Sequence, residues 1–357
     1  MLYISVFALA SLFAYLSEKT NKKTFCVLAV ALPVLLAGFR YTTGTDSLAY
    51  RNMYEQIGNE SASVTAERVE NGGLEPFVVY TSVVGNAIQL PPCFLFIIYA
   101  AITAGFLFAA TRIISVKHAW LIYGMLLFIV FPESFNIMRQ VAANSVQAFI
   151  LAYIFDKHQS GRRVKIVSVL LLLCFSITLH YSSLLLLPVF ALPTIVKHVR
   201  GYTLAMILCL LIAGCVLAFP ALLNIVVDLH IMSDRHYVTF MEMPGSIVNI
   251  KFFAAAIAAI VLIANYFRRN KQIDKQYSLL MLLGVAYSAI GFYSGYLGRL
   301  AMFFWIFIIM FTGKLLCQLF EKENHRIAIC SAVAIIYFIV YFCILGFNAI
   351  MPYYLAA

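Results

Sequence analysis

The residues that could do chemistry are few, and they stand at the borders of long apolar runs. Arg40 ends GFRYTTGTD, Arg139 opens IMRQVAANSVQ and Arg299 follows GYLG. A guanidinium is a planar fork of fixed charge that matches the oxygens of a phosphate or a carboxylate. Ionisable groups near bilayer depth are costly and mark a substrate path or a paired site. The competing reading is snorkelling to lipid headgroups or an ion pair with a nearby acid. Behind Arg139, Gln140, Asn144 and Gln147 fall at steps of four and three, on one face of a helix. Such a stripe of amides serves interhelical hydrogen bonds or lines a polar cavity, and an arginine at its end favours the cavity.

Three further groups are candidates for accepting a proton: Asp46 in GTDSLAY, Glu75 in GGLEPF and His180 in TLHYSSLLLLP. Gly44 permits a tight turn just before Asp46. Glu133, in FPESFN, and Asp46 are near enough in sequence to Arg139 and Arg40 to be their salt-bridge partners. Glu75 has only Arg68 nearby and reads as the free carboxylate. Ser182 and Ser183 after His180 also suit a helix cap.

The elements that carry these residues must lie in a membrane. Of 357 residues, 63% are hydrophobic and 11% charged, whereas a soluble domain is about a quarter charged. A span takes roughly 20 apolar residues. Twelve apolar segments can be read: 2–16, 25–39, 93–111, 119–136, 137–155, 164–179, 181–196, 201–219, 249–267, 277–293, 300–318 and 327–347. The expected fold is an all-α polytopic membrane protein, one transmembrane domain over 1–357. The alternating connections sort by sign: one set holds 18 of the 25 basic residues and five acids, the other seven basic and ten acidic residues. By the positive-inside rule the first set is cytoplasmic, which puts both chain ends on the outer side. The net charge of +10 therefore describes topology and excludes a nucleic-acid partner.

Two outer connections are long, 40–92 and 220–248, and are expected to form the external face of any site. Within the first, the apolar stretch Pro76–Leu90 is too short for a span and reads as a re-entrant or interfacial helix. Six of the seven outer basic residues are arginine, a bias that topology does not require. The eight cysteines lie in or beside apolar segments without a CxxC spacing and read as small core residues. No Walker A, HExxH, GxSxG or outer-loop DxD motif occurs, so ATP-driven transport and a bound-metal mechanism are unsupported. No cofactor and no metal is expected.

GFRYTTGTDSLAYRNMY, LEPFVVY, NIMRQVAANSVQAFILAY, LHYSSLLLLP, YLGRLAMFF and MPYY, in that order, resemble the EpsG family, which is grouped with Wzy-type exopolysaccharide and O-antigen polymerases. The resemblance spans nearly the whole chain. It implies about twelve transmembrane helices, with a GT-C-like arrangement open, in a bacterial inner membrane. The implied activity is a glycosyltransferase that moves a glycan from undecaprenyl pyrophosphate onto another lipid-linked repeat unit at the outer leaflet. Arg40, Arg139 and Arg299 would then hold the pyrophosphate, Asp46, Glu75 or His180 would serve as base, and Tyr41, Tyr50, Gln140 and Asn144 would contact the glycan. Ser47 stands where family members often carry tyrosine. The partners implied are the lipid-linked oligosaccharide, membrane lipid and a chain-length regulator. A flippase for lipid-linked oligosaccharide and a membrane acyltransferase remain as readings from other classes. A flippase should show polar residues in both membrane halves, and an acyltransferase needs a cytoplasmic acyl-donor entry.

Overall fold

A computed structural model of the chain describes residues 1–70, 74–115, 117–160, 163–191, 251–252, 254–259 and 301–355, with 281, 283–285 and 288. Arg299 and the connection 220–248 lie outside the described residues. Among the described residues every regular element is helical, and the only strand-like pairing is an isolated bridge between Arg40 and Leu355. The chain divides into two compact units, Met1–Leu187 with Leu316–Ala357, and Pro188–Leu315. The candidate residues described all belong to the first unit.

That unit is built from α1 (Leu2–Thr20), α2 (Lys23–Gly38), α3 (Ser47–Asn59), α4 (Ala62–Glu70), α5 (Pro76–Ala87), α6 (Cys93–Ile114), α7 (Ala119–Ile129), α8 (Met138–Gln159) and α9 (Ile166–Leu179). α10 (Ala301–Leu319) lies mostly in the second unit, and α11 (Glu323–Tyr337) belongs to the first. Among the described residues four helices are long and apolar enough to cross a membrane: α1, α6, α10 over Met302–Leu319, and α11 with its π-helical continuation to Ile344. Three shorter apolar helices, α2, α7 and α9, accompany them. α6 packs on α8 and α2, α1 on α2 and α7, and α8 on α9. This is a multi-pass membrane protein.

The apolar run 119–136 is not one helix. α7 ends at Ile129, and Pro132 lies in a 3-10 turn over Phe131–Phe135. Pro132 has no N–H to continue an α-helix, and the turn carries the buried Glu133 and delivers the chain to α8. The connection 40–92 is also more ordered than its composition suggests, because α3, α4 and α5 fill it. α3 is amphipathic, burying Ser47, Tyr50, Tyr54 and Ile57 at helical spacing. α5 is 12 residues long, about 18 Å at 1.5 Å per residue, so it falls short of a roughly 30 Å hydrocarbon core. It buries Val78, Val79, Ser82 and Gly85, while Tyr80, Val83, Val84 and the following Ile88 stay exposed on one stripe.

The two ends of the first unit differ in chemistry. At one end Glu18 accepts from the His118 and Trp120 backbone N–H groups, at 2.8 and 3.4 Å, and caps α7. Arg326 donates to His118 Nε2 at 2.8 Å, and Arg112 reaches Ser17 at 3.3 Å. Three of the lysine- and arginine-rich connections are thus stitched together there. The opposite end gathers Arg40, Asp46, Glu75, Arg139, His180, the start of α1 and the segment Ala349–Leu355. Tyr3 donates its hydroxyl to Ile350 O at 2.7 Å, and its ring meets Phe135 and Tyr353.

Candidate functional site

Glu75, Arg139 and His180 come together from three helix ends. Pro76 at the first position of α5 holds the residue before it in extended backbone, and Glu75 has φ −73° and ψ 144° there. Arg139 opens α8, and His180 caps α9 in extended backbone before a 3-10 segment, Tyr181–Ala191. Glu75 Oε2 takes Arg139 Nη1, and Glu75 Oε1 lies 2.6 Å from His180 Nδ1. The carboxylate is 6% exposed, while the Arg139 and His180 side chains keep 25% and 26%. The acid is therefore interior and its two partners face outward from it.

Burial raises the Glu75 pKa, but the His180 hydrogen bond and the Arg139 charge pull it down by more, so it settles below the usual carboxylate value. A carboxylate can only accept, so the bond requires the proton on His180 Nδ1, and in the neutral imidazole the lone pair is then on Nε2. The arrangement is a carboxylate-oriented imidazole next to a guanidinium. Tyr50, buried in α3, presents its ring to Arg139, whose guanidinium carbon lies 5.5 Å from the ring centre.

Glu75 is thus not the free carboxylate that its sequence neighbourhood suggests. Its partner Arg139 is 64 residues away and His180 105 away, distances at which local spacing carries no information. Glu133 does not pair with Arg139 through any described hydrogen bond. It is buried and accepts from Asn348 Nδ2 at 2.8 Å.

Arg40 departs from the expectation of a ligand-facing fork. It is 1% exposed, with its guanidinium 4.1 Å from the Phe96 ring centre and 4.8 Å from that of Phe135. It donates to Ala37 O at 2.7 Å, to Ser134 O at 3.5 Å and to Ser47 Oγ at 3.3 Å. Burial pulls its pKa down to about 10, which still leaves a cation at neutral pH. The fork is spent on protein carbonyls and ring faces, so Arg40 builds the wall behind the 40–46 turn.

That turn is shaped by Gly44, at φ +95°, where an added Cβ would collide with the Phe135 carbonyl. The C-terminal segment straps it from outside: Tyr41 N donates to Tyr354 O at 2.7 Å, Gly44 N to Ala349 O at 3.1 Å, and Tyr354 N to Thr43 Oγ1 at 2.9 Å. Asp46 precedes α3, half-buried. With the Asn136 amide nitrogen turned toward it, that nitrogen stands 3.0 Å from Asp46 Oδ1 and 3.1 Å from Oδ2. Tyr50, one turn on, is in electrostatic reach of Asp46, Glu75 and Arg139. Tyr41 is exposed, with the Arg51 guanidinium 4.6 Å above its ring. Tyr54 is structural, donating to Leu90 O at 2.8 Å.

Along α8 the amide stripe divides in use. Gln147 donates to Ser183 O at 3.0 Å, an ordinary interhelical bond. Gln140 and Asn144 are buried, and Asn144 Nδ2 has no hydrogen-bond partner among the described residues. Sequence reasoning missed Asn136, Asn348 and Tyr99. The first two are single amides outside the helical stripe, and Tyr99 hides among the aromatics of α6. Among the described residues no three His, Cys, Asp or Glu side chains gather as a metal-ligand group.

The family model of the EpsG family matches residues 23–355, nearly the whole chain. The protein belongs to the EpsG family, a family of polysaccharide polymerases. No curated protein and no solved structure matches the chain.

Proposed function

We propose that this protein polymerises a lipid-linked glycan at the outer leaflet of a bacterial inner membrane. The donor is a glycan on undecaprenyl pyrophosphate, and the acceptor is the non-reducing end of another lipid-linked repeat unit. The observation that carries the chemistry is the Glu75 carboxylate held between His180 and Arg139. His180 Nε2 takes the proton of the acceptor hydroxyl as that oxygen bonds to the anomeric carbon. The bond from that carbon to the phosphate oxygen breaks, and the lipid diphosphate leaves with the electron pair. Arg139 faces the charge growing on the leaving oxygens, and Arg299 is assigned the same task. Glu75 acts through His180, holding the imidazole in the tautomer that can accept. The energy comes from the donor's own diphosphate, so no nucleotide, metal or cofactor is called on.

In this reading Asp46, Tyr41, Tyr50, Gln140 and Asn144 form the glycan face, and Arg40 positions the turn that carries the first two. Twelve spans, both termini outside and α5 lying in the interface complete the topology. The exposed apolar stripe of α5 supports that placement, as does the segregation of Glu18, His118, Arg112 and Arg326 at the far end. A chain-length regulator is the protein partner expected to meet the outer connections.

The test is reconstitution of the purified protein in lipid vesicles with a defined undecaprenyl-pyrophosphate-linked repeat unit and neither nucleotide nor added metal. Chain growth supports the proposal. Movement of single repeats across the bilayer without growth would assign the protein to the flippases instead.

A further inference from the structure

Tyr99 is 1% exposed, and its hydroxyl is buried without a hydrogen-bond partner among the described residues. A phenylalanine would pack as well against Phe77, whose ring centre lies 5.5 Å away at 87°. Leaving a buried hydroxyl unpaired costs stability, so its retention asks for a reason. Its surroundings supply one. Phe77 is two residues past Glu75, and Tyr99 is within electrostatic reach of Arg139, Glu75 and Tyr50. Each Glu75 oxygen already holds one partner, Arg139 on Oε2 and His180 on Oε1. Arg139 Nε is likewise buried without a partner.

Two buried donors without a described partner therefore lie on packed helices, the Tyr99 hydroxyl on α6 and Arg139 Nε on α8. A ligand that satisfies both must bring acceptor oxygens and negative charge. A sugar hydroxyl brings a donor of its own, whereas a phosphate group brings acceptors only. We infer that Tyr99 is a substrate-binding residue whose hydroxyl, with Arg139 Nε, takes phosphate oxygens of the lipid diphosphate. The inference rests on the polymerase reading and adds to it a residue on α6, opposite the helix that carries Arg139.

The experiment compares Tyr99→Phe with the unaltered full-length protein in nanodiscs, using undecaprenyl diphosphate as probe and phosphatidylglycerol as the competing phosphate. Removing only the hydroxyl should leave the melting temperature unchanged or higher and weaken undecaprenyl diphosphate binding by about tenfold or more, the range for a hydrogen bond to a charged group. Chain growth should slow in step. Unchanged binding overturns the inference and assigns the hydroxyl to bound water. A lower melting temperature with unchanged binding overturns it in favour of a structural role. Equal displacement by phosphatidylglycerol overturns the diphosphate assignment in favour of an ordinary headgroup. Arg139→Gln separates the two claims: if it too binds undecaprenyl diphosphate normally, the polymerase reading of this site fails along with the inference. If only Tyr99→Phe is silent, the Tyr99 assignment alone falls.

Discussion

A glutamate, a histidine and an arginine meet at each end of the first unit, and they are wired differently. At the cationic end Glu18 spends its carboxylate on the backbone N–H groups of His118 and Trp120, while Arg326 donates to His118 Nε2. Both Glu18 oxygens, Arg326 Nη1 and His118 Nε2 are turned toward the chain itself, and the result is a staple. At the other end Glu75 touches two side chains and no backbone outside its own helix start, and those side chains stay a quarter exposed. The same three residue types therefore give a fastening in one place and a reactive arrangement in the other. What differs is whether the histidine's outer nitrogen is consumed by the protein. His118 Nε2 is consumed, whereas His180 is held through Nδ1 and has no partner at Nε2 among the described residues.

The comparison breaks first at His180. His180→Gln should insert normally and lose chain growth by about 10²–10⁴-fold, the usual contribution of a general base, as read with a defined lipid-linked repeat. Arg139→Lys keeps the charge but loses the planar fork, and a loss of about 10²–10³-fold is expected by analogy with removal of an oxyanion donor. An Arg139→Lys protein as active as the original would show that charge alone suffices.

Effects on stability should run the other way. Arg40→Met removes a buried cation and strands the Ala37 and Ser134 carbonyls, so a loss of about 1–3 kcal/mol is expected in thermal unfolding. The KM of the protein that remains folded should change little. Glu18→Gln, at the staple, should cost about 1 kcal/mol through the weakened cap on α7 and leave turnover within about twofold.

Acidity should distinguish the ends as well. The His118 pKa is lowered from 6.5, by burial and then by the Arg326 charge. Its contribution is complete above about 6.5 and is lost as pH falls from there through the lowered folded value. Glu75 is lowered from 4.5, so its contribution is complete above that value and lost only on stronger acidification. Melting temperatures measured against pH should fall in two stages, and His118→Gln should remove the first.

How far the sequence carries this picture depends on the length scale of each feature. The long apolar runs marked α1, α2, α6, α8 and α9 to within a few residues, because burial in lipid demands contiguous hydrocarbon. Pro132 alone shows where 119–136 breaks, and it was masked by the apolar residues around it. α3 was passed over because its mean character is polar, although Tyr50, Tyr54 and Ile57 repeat at helical steps. Glu75, Arg139 and His180 were each visible as candidates by type. Their pairing was not, since the nearest acid to Arg139 in sequence, Glu133, is bound by Asn348, and the true partner arrives from another helix. The inward turn of Arg40 depends on Phe96 and Phe135, which no local pattern ties to it.

The central claim is that Glu75 works through His180. A double-mutant cycle on chain growth, with Glu75→Gln, His180→Gln and both together in vesicles, tests it most directly. If the two act as one unit, the double variant will be no slower than the slower single variant, within about twofold. If the two losses multiply, the carboxylate and the imidazole act independently and the account is contradicted.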